Sequence, residues 1–391
     1  MAAFFNPKAK LWINGRKNWK KNLPAGLENC IWIHASSLGE FEQGRPIIEK
    51  LKTHFPNKKI LLTFFSPSGY EVRKNYDKAD YIMYFPLDTI ANANYFIDKI
   101  KPEIAIFVKY EYWFNFIKVL NDRKIHIYLV SAIFRSNQHF FKWYGAWFRK
   151  HLLMISHFFV QDKNSFELLK SAGIQQLTTA GDTRFDRVYE NSLSTKDFPE
   201  VIDFIANRTC LMAGSSWEVD EILLKKLLDK FPDLCLILAP HEIHENHLQK
   251  IENLFADNNP VRLSKFVNTS DSSVLIVDSI GKLMHLYKYA DFAYIGGGFG
   301  AGIHNILEAA TFGKPVLFGP NYHKFKEAGD LIQLGGAFTF QNSESLIEIF
   351  SKMKTDSELK MNAGNISKNY VLNGKGATEI ILHELQNVIS V

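Results

Sequence analysis

The sequence predicts an α/β protein built from two Rossmann-like lobes, and three observations support this fold class. Short apolar, β-rich runs alternate with segments of helical periodicity along the 391-residue chain, a pattern that produces parallel sheets in βα units. These runs form two successive series, separated by a polar stretch. Hydrophobic residues make up 46% of the chain and charged residues 22%, which is enough core material for two ordinary domains.

The first series of predicted strands lies in the N-terminal half. Helical stretches separate its members; residues 42–55, for example, place Ile47, Ile48 and Leu51 at helical spacing. The strands of this series are 31–34 (IWIH), 60–65 (ILLTFF), 104–108 (IAIFV) and 125–130 (IHIYLV). The strands of the second series are 210–213 (CLMA), 234–238 (LCLIL), 274–277 (VLIV), 292–295 (FAYI) and 315–318 (PVLF).

A domain break is predicted where the two series meet. The polar run 189–196 (YENSLSTK) is followed by Asp197-Phe198-Pro199, a composition typical of a linker. We therefore expect an N-terminal lobe at 1–190, a C-terminal lobe at 205–365, and a helix at 366–391 that crosses back to the first lobe. Since open α/β sheets bind ligands at the carboxyl ends of their strands, the active site is expected in a cleft between the lobes.

Charge is distributed unevenly behind a net value of +5. Residues 1–160 contain 24 Lys and Arg against 12 Asp and Glu, or +12, and residues 161–391 contain 22 against 29, or −7. This asymmetry indicates that the first lobe meets an anionic partner. It does not distinguish nucleic acid, phospholipid and a phosphorylated substrate.

Other compositional features exclude whole classes of protein. No run of about 18 apolar residues occurs, so no segment is predicted to span a bilayer. The three cysteines share no metal-ligand spacing and are too few for a disulfide framework, so a reducing, cytosolic setting is expected.

A glycine-rich loop in the second series is the most informative segment. It occupies 294–320 (YIGGGFGAGIHNILEAATFGKPVLFGP) and follows directly after a predicted strand. Glycines permit positive φ and close backbone approach, and free N–H groups at a helix start attract phosphate. The predicted nucleotide-binding residues here are Gly298, Gly300, Gly302, His304, Asn305 and, for ribose hydroxyls, Glu308. The alternative is a tight turn that only lets strand and helix pack.

Nine segments together resemble one known family. They are 34–40 (HASSLGE), 63–69 (TFFSPSG), 111–113 (EYW), 129–136 (LVSAIFRS), 181–186 (GDTRFD), 213–216 (AGSS), 238–241 (LAPH), 302–308 (GIHNILE) and 313–320 (GKPVLFGP). In order and spacing the chain resembles, nearly end to end, the Kdo transferases of lipopolysaccharide biosynthesis, where Kdo is 3-deoxy-D-manno-octulosonic acid.

The resemblance implies a fold, an activity and a location. The fold is GT-B, with two Rossmann-like lobes and a C-terminal helix that packs back on the first. The activity is inverting transfer of Kdo from CMP-Kdo to the lipid A precursor, lipid IVA, at the cytoplasmic face of the bacterial inner membrane. Family members generally begin with a hydrophobic anchor, and we expect the chain as given to start after it and to be soluble.

Two glutamates are the predicted catalytic residues. The resemblance implies that Glu40, in the first βα turn with Ser37 and Gly39, is the base that deprotonates the acceptor. From the residues alone, a carboxylate that satisfies the helix dipole is the preferred interpretation of Glu40, and the resemblance reverses this preference. The resemblance also implies an essential acidic role for Glu111, whereas a surface pair with Lys109 is the alternative.

Anion binding is predicted on both lobes. Candidate donor-binding residues in the second lobe, besides the glycine loop, are Ser215, Ser216 and His241, which stands where the family often has Arg. His241, His244 and His247 could suggest a metal, but a solvated helix edge is the preferred interpretation, and no Asp-x-Asp is present. We therefore expect neither a metal nor another cofactor.

Acceptor or anion binding is predicted for four residues of the first lobe. Ser37 and Gly39 belong to the turn that carries Glu40, and Arg135 and Ser136 follow the strand at 125–130. Arg135 and Ser136 are expected to contact the phosphate of the acceptor or the carboxylate of the donor. A salt bridge within the loop is the alternative.

A basic aromatic segment is predicted to face a membrane. Residues 139–159 (HFFKWYGAWFRKHLLMISHFF) combine bulky aromatics with Lys142, Arg149 and Lys150, as membrane-surface helices do. A second basic cluster at Arg16, Lys17, Lys20 and Lys21 supports an anionic membrane surface as partner. An ordinary core helix is the alternative, and nucleic acid is not expected because no binding module accompanies the segment.

Two other functions remain as alternatives to Kdo transfer. One is a different GT-B enzyme that uses a UDP-sugar, either a transferase or a relative of UDP-N-acetylglucosamine 2-epimerase. The other is a non-catalytic module that binds a nucleotide sugar.

Overall fold

The computed structural model describes residues 6–267 and 271–389. The expectation about the N-terminal start concerns residues 1–5, which lie outside the described residues. The chain divides into two units: Met1–Arg187 with Gly374–Val391, and Val188–Asn373. Each unit contains one seven-stranded sheet in which every pair of neighbouring strands is parallel. The predicted α/β fold with two Rossmann-like lobes is confirmed.

Within its described residues, the first unit has seven strands and eight α-helices that begin before residue 187, and the last of these helices continues past it. Its strands are β1 (Ile31–Ala35), β2 (Ile60–Phe64), β3 (Tyr81–Tyr84), β4 (Ile104–Val108), β5 (His126–Ala132), β6 (His157–Val160) and β7 (Leu177–Thr179). Their order in the sheet is β3-β2-β1-β4-β5-β6-β7. The helices are α1 (Pro7–Asn14), α2 (Leu38–His54), α3 (Pro67–Arg73), α4 (Ile90–Ile100), α5 (Phe114–Asp122), α6 (Ala146–Leu152), α7 (Lys163–Ser171) and α8 (Thr183–Leu193).

The second unit repeats the same architecture. Its strands are β8 (Thr209–Ser216), β9 (Leu234–Pro240), β10 (Val261–Arg262), β11 (Val274–Ile276), β12 (Phe292–Ile295), β13 (Val316–Phe318) and β14 (Ala337–Thr339). They lie in the order β10-β11-β9-β8-β12-β13-β14. The remaining helices are α9 (Pro199–Ile205), α10 (Glu218–Lys230), α11 (Glu245–Leu254), α12 (Leu283–Leu286), α13 (Leu307–Ala310), α14 (Lys326–Leu334), α15 (Ser343–Thr355), α16 (Ser357–Gly374) and, in the first unit, α17 (Ala377–Gln386).

The central strands read as continuous apolar runs because helices cover both faces of a parallel sheet. Every residue of β1, β2 and β4 is buried. On one face of the first sheet, Trp32 packs against the rings of Phe85, Phe96, Phe107 and Phe116. Many of the 32 phenylalanines thus supply core volume, since a buried aromatic side chain removes a large apolar area from water.

The C-terminal helix α17 completes the other face of the first sheet. Ile381 and Leu385 belong to the core cluster that contains Ile33 and Ile106. Asp186 accepts hydrogen bonds from Gly376 N at 2.5 Å, Thr378 N at 2.8 Å and Thr378 Oγ1 at 2.7 Å. A buried carboxylate therefore caps α17, and the predicted packing of this helix on the first lobe is confirmed.

The structure agrees with the nine predicted strands within a few residues and adds five others: β3, β6, β7, β10 and β14. The alternative of an ordinary core helix at 139–159 is wrong, because the segment is not one helix. That segment forms a 3₁₀ turn at His139–Phe141, the seven-residue α6, and β6 in the sheet. Phe158 and Phe159 are buried because they lie in a strand, while Trp143 is 92% exposed.

Charge follows the two units. The first unit contains 29 Lys and Arg against 18 Asp and Glu, or +11, and the second contains 17 against 23, or −6. In the described part of the chain, no helix has the length and apolar character needed to cross a bilayer.

Candidate functional site

A polar cluster lies at the carboxyl ends of β1, β2 and β4 in the first unit. The parallel register pairs His34 of β1 with Thr63 of β2 and with Phe107 of β4. Ser36 follows β1, and Glu111 follows β4. Since strands of a parallel sheet end at the same edge, residues far apart in sequence meet here.

Glu111 is held by three side chains that converge on one oxygen. Its Oε2 accepts hydrogen bonds from Ser36 Oγ at 2.7 Å and Trp113 Nε1 at 2.5 Å, and lies 3.2 Å from His34 Nε2. Burial, with only 4% of Glu111 exposed, raises the pKa of this carboxyl. The interactions with His34, Ser36 and Trp113 outweigh burial, so the pKa lies below its ordinary value. Glu111 is a buried carboxylate and does not form the surface pair with Lys109 considered above.

His34 connects Glu111 to the interior of the sheet. Its ring is fully buried, and Nδ1 lies 2.9 Å from Thr63 Oγ1, which also accepts a hydrogen bond from Trp32 Nε1 at 2.9 Å. The ring of Phe85 packs against the imidazole with centroids 4.3 Å apart. Nε2 is close to Glu111 Oε2 but is not aligned for a hydrogen bond, so this contact is electrostatic.

A cavity of about 550 Å³ opens beside this cluster. Its lining combines aromatic rings with a few polar groups, as small-molecule sites do. The lining residues are Ser36, Tyr110, Glu111, Tyr112, Trp113, Phe114, Asn137, Gln138, His139, Phe140 and Phe148. The cavity therefore brings Glu111 together with the segment that follows the predicted anion-binding residues Arg135 and Ser136.

Glu40 lies in the first turn of α2, after the carboxyl end of β1. Its carboxylate accepts a hydrogen bond from Ser37 Oγ, and Ser37 is the N-cap residue of the helix. Glu40 is partly exposed, and the neighbouring Gly39 is exposed. This placement suits a general base, and it equally suits a carboxylate near a helix N-terminus.

Arg135 and Ser136 are exposed in the loop after β5. Among the described residues Arg135 forms no ion pair, so the predicted alternative of a loop salt bridge is wrong. Burial raises the pKa of the Tyr110 hydroxyl, Arg135 lowers it, and Glu40 raises it. Arg135 and Glu40 therefore both lie close enough to this cavity residue to affect the pKa of its hydroxyl.

In the second unit, Asp220 anchors the glycine loop that follows β12. This buried carboxylate accepts hydrogen bonds from Gly297 N at 2.9 Å, Tyr294 Oη at 2.7 Å and Trp217 N at 3.0 Å. Burial raises the pKa of Asp220 more than these hydrogen bonds lower it. A Cβ on Gly296 would lie 2.2 Å from Ser215 O, so this position requires glycine.

The loop glycines also pack against the loop that follows β13. A Cβ on Gly298 would lie 2.6 Å from Gly319 N, and Gly302 adopts φ +141°. Gly300, by contrast, has room for a side chain, since its nearest neighbour outside the adjacent residues is Gly297 O at 3.6 Å. The predicted close backbone approach is real, and much of it serves the contact between the two loops.

The two serines after β8 differ in environment. Ser215 adopts a positive φ of +54° and is partly exposed. Ser216 is fully buried, and its hydroxyl donates to Glu221 at 3.0 Å. The other oxygen of Glu221 contacts His247 Nε2 at 3.1 Å. His247 is thus buried and paired with a carboxylate, so the solvated helix edge expected at 241–247 is wrong for this residue.

Three aromatic rings stack at the end of the second sheet. The His241 ring stacks against both Trp217 and His304, with ring centroids 4.5 Å away in each case and interplanar angles of 27° and 26°. Trp217 Nε1 donates to His304 Nε2 at 3.2 Å, so this nitrogen carries no proton. Burial, followed by the charge of His241, lowers the pKa of His304. The stack brings together two predicted donor-binding residues and a tryptophan that the sequence did not single out.

The helix after the glycine loop is shorter than expected. It is α13, with four residues and Ile306 as its N-cap. Asn305, just before the cap, accepts from Leu307 N at 3.2 Å and donates to Glu308 Oε1 at 3.1 Å. So short a helix has little dipole, and anion binding here would depend on loop N–H groups and side chains. Among residues 6–267 and 271–389, no three His, Cys, Asp or Glu are grouped to hold a metal.

Sequence reasoning missed several residues of these sites. His34, Trp113, Asp220 and Trp217 each lie inside or beside a motif, but no role was assigned to them. A local signal was available for Asp220, since it stands three residues after the Trp217 N-cap, as in a capping box. The role of His34 depends on the register of β1 with β2, which local sequence does not show.

Comparison with known proteins identifies the first unit with one family. The profile of the family described as "3-Deoxy-D-manno-octulosonic-acid transferase (kdotransferase)" matches residues 13–187. The 3-deoxy-D-manno-octulosonic acid transferase of Aquifex aeolicus is 30% identical over 347 residues, covering 86% of this chain and 90% of that protein. The enzyme of the same name from Haemophilus influenzae is 26% identical, covering 97% and 92%.

A third relative is longer than this chain. It is a bifunctional glycosyltransferase/methyltransferase of Fusobacterium nucleatum, 27% identical over 368 residues, and the match covers 90% of this chain but only 57% of that protein. The chain therefore spans little more than half of this relative.

Solved structures with low sequence identity share the fold. The UDP-GlcNAc 2-epimerase of Neisseria meningitidis, bound to UDP-GlcNAc, has a TM-score of 0.64 at 18% identity, covering 91% of this chain and 99% of that one. The MurG protein of Acinetobacter baumannii has a TM-score of 0.58 at 12% identity, covering 92% and 99%. These likenesses show the GT-B fold alone.

Proposed function

The chain belongs to the 3-deoxy-D-manno-octulosonic acid (Kdo) transferase family of glycosyltransferases, and we propose that it transfers Kdo from CMP-Kdo to lipid IVA, the lipid A precursor, with inversion at the anomeric carbon. The observation that carries this proposal is the Glu111 cluster. A buried, ionised carboxylate lines an aromatic cavity inside the segment that the family profile matches.

Glu40 is the proposed general base. It takes the proton of the acceptor hydroxyl while that oxygen attacks the anomeric carbon of Kdo and the bond from this carbon to the CMP phosphate breaks. The phosphate oxygen of CMP keeps the electron pair of that bond, and CMP leaves. Partial exposure and a single hydrogen bond from Ser37 leave Glu40 able to accept a proton. Glu111 stays ionised and acts as a hydrogen-bond acceptor.

The second unit is proposed to bind the donor without a metal or another cofactor. Glycine-loop N–H groups and side chains near the ends of β8, β9 and β12 would contact the phosphate, the sugar carboxylate and the ribose. The residues proposed for this contact are Ser215, Ser216, His241, Gly298, Gly300, Gly302, His304, Asn305 and Glu308. The stack of Trp217, His241 and His304 supports the proposal, because stacked rings offer both an aromatic face and N–H donors.

Mass spectrometry of the lipid product tests this function. The chain is incubated with CMP-Kdo and lipid IVA without divalent cations and in the presence of EDTA, and a mass increase of one or more Kdo units is expected. UDP-N-acetylglucosamine in place of CMP-Kdo should give no product. Transfer from the UDP-sugar alone would replace the proposal with another GT-B activity, and failure with both donors, despite CMP binding, would favour a binding module.

The first unit is also proposed to contact an anionic membrane. An exposed apolar patch around α6 comprises the aromatic residues Trp143, Tyr144 and Trp147 together with Leu153, and Lys142 and Lys150 flank it. Phe148 of the same helix lines the cavity. Interfacial segments combine aromatic bulk with basic residues in this manner, and the +11 charge of the unit favours anionic lipid.

Vesicle sedimentation tests the membrane contact. Binding to vesicles containing phosphatidylglycerol should fall about 30-fold in a Trp143→Ala, Trp147→Ala double variant, since losing the buried apolar area of each tryptophan should cost about 1 kcal/mol. Ile280→Ala, which removes an 88% exposed apolar residue from the second unit, is the matched control. Raising the salt concentration should weaken vesicle binding far more than CMP binding. Equal binding to neutral and anionic vesicles would refute the proposal that the charge of the first unit attracts it to the membrane.

A further inference from the structure

We infer that His34 is a positioning residue for the transfer reaction. It helps to fix one carboxylate oxygen of Glu111 and leaves the other oxygen for the acceptor. The inference deepens the proposed function and rests on it for the identity of the acceptor. His34 itself contacts no cavity space, since it is fully buried and is absent from the cavity lining. It acts through Glu111.

The first step of the argument is the asymmetry of the Glu111 carboxylate. Ser36 Oγ, Trp113 Nε1 and His34 Nε2 all approach Oε2. Among the described residues, none donates to Oε1. Three contacts on one oxygen fix the plane of the carboxylate, and Glu111 lines the cavity, so Oε1 is the oxygen available to a bound hydroxyl.

The second step is the rigidity of His34. Thr63 Oγ1 lies 2.9 Å from Nδ1 and is itself fixed by Trp32 Nε1 at 2.9 Å, while Phe85 and Trp113 pack on the ring with centroids 4.3 and 5.6 Å away. The imidazole cannot rotate without breaking the Thr63 contact. Because the partner of Nδ1 is fixed, the imidazole ring is fixed as well, and Nε2 points in one direction, toward Glu111.

The third step concerns charge. Titratable groups around Glu111 include Tyr110 and Tyr112, which adjoin it, and His139, which lines the same cavity. Glu40 and Arg135 act on Tyr110, and Lys109 stands two positions earlier in the chain. Burial raises the pKa of both tyrosines, so neither supplies charge at neutral pH. Since His34 is the side chain that most strongly favours the ionised form of Glu111 against burial, its loss should let Glu111 take up a proton at higher pH.

Kinetics across pH test the inference. In His34→Gln the acid limb of kcat should move to higher pH, with kcat reduced about tenfold on the acid side and KM for CMP-Kdo changed less than about twofold. Thr63→Val, which keeps His34 but removes the hydroxyl beside Nδ1, should produce a smaller shift in the same direction. His157→Gln is the matched control, because His157 is also bonded to a threonine, Thr178 at 3.0 Å, but contacts no carboxylate of the site. An acid limb unchanged in both variants would overturn the inference.

A second measurement needs no substrate and separates the inference from the proposed function. In protein labelled with ¹³C-glutamate, the carboxyl signal missing from Glu111→Gln identifies Glu111, and its titration is followed in the wild type and in Thr63→Val and His34→Gln. An upward displacement of the titration in either folded variant supports the inference even if Kdo transfer is not observed. Superimposable titrations would refute it even if transfer is observed, and Thr63→Val covers the case in which His34→Gln does not fold.

Discussion

Replacing Asp186 with alanine should release helix α17 from the first unit. Asp186 is 9% exposed and accepts from Gly376 N, Thr378 N and Thr378 Oγ1. Loss of a helix N-cap costs about 0.5–2 kcal/mol, and hydrogen bonds to a charged group contribute about 1.5–3 kcal/mol each. Because these contributions overlap, we expect α17 to lose roughly 2–4 kcal/mol of local stability.

Amide hydrogen exchange measures this loss directly. A change of 2–4 kcal/mol in local opening corresponds to roughly 30- to 1,000-fold faster exchange of the α17 amides. Thr378→Val removes only the hydroxyl hydrogen bond and should accelerate exchange no more than about tenfold. Amides of the second unit serve as the internal control. Exchange of α17 in Asp186→Ala within about threefold of the wild type would show that the carboxylate does not hold this helix.

Three further predictions concern the catalytic and donor sites. Glu40→Ala should abolish Kdo transfer while calorimetric CMP affinity changes less than twofold, and unchanged transfer would exclude Glu40 as the base. The pKa of Glu111 is lowered in the folded state, so its ionised form stabilises the first unit at any pH above the ordinary pKa of a glutamate. This stabilisation is lost as the pH falls toward the folded pKa. The difference in unfolding free energy between wild type and Glu111→Gln should therefore be constant near pH 7 and shrink below about pH 4.5. Gly296→Ala should destroy CMP binding, since the new Cβ would lie 2.2 Å from Ser215 O, whereas Gly329→Ala in α14 meets no atom within 4 Å and should leave binding intact.

The fold could be predicted from the sequence because the central strands are continuously apolar. Nine such runs were recognisable, since strands buried on both faces are predominantly apolar, although β1 and β2 also carry the buried polar residues His34 and Thr63. The five missed strands are short, between two and four residues. For β6, the aromatic run before it, which includes Phe148, obscured the boundary, because a short apolar run fits a strand and a helix equally well.

The sites could be predicted only in part. Glu40 and Glu111 were recognisable because each follows a buried strand, where parallel sheets collect functional side chains. The partners of Glu111 were not, because His34 reaches it from 77 positions earlier and only through the register of two strand pairs. The same limit applies to Asp220, which contacts Gly297 across 77 residues.

The path of the chain has a consequence for synthesis on the ribosome. The second unit, 188–373, is inserted into the first, whose core is completed by Ile381 and Leu385 of α17. The insertion is 186 residues long, so at about 5–20 residues per second the nascent first unit waits roughly 10–40 s for its last helix. During that interval the part of the sheet face that α17 covers stays exposed, while α2 already covers the rest through Phe41, Ile47 and Leu51. Because of the order of translation, the inserted unit would complete its folding before the first unit. A circular permutation that places α17 ahead of β1 should remove the delay.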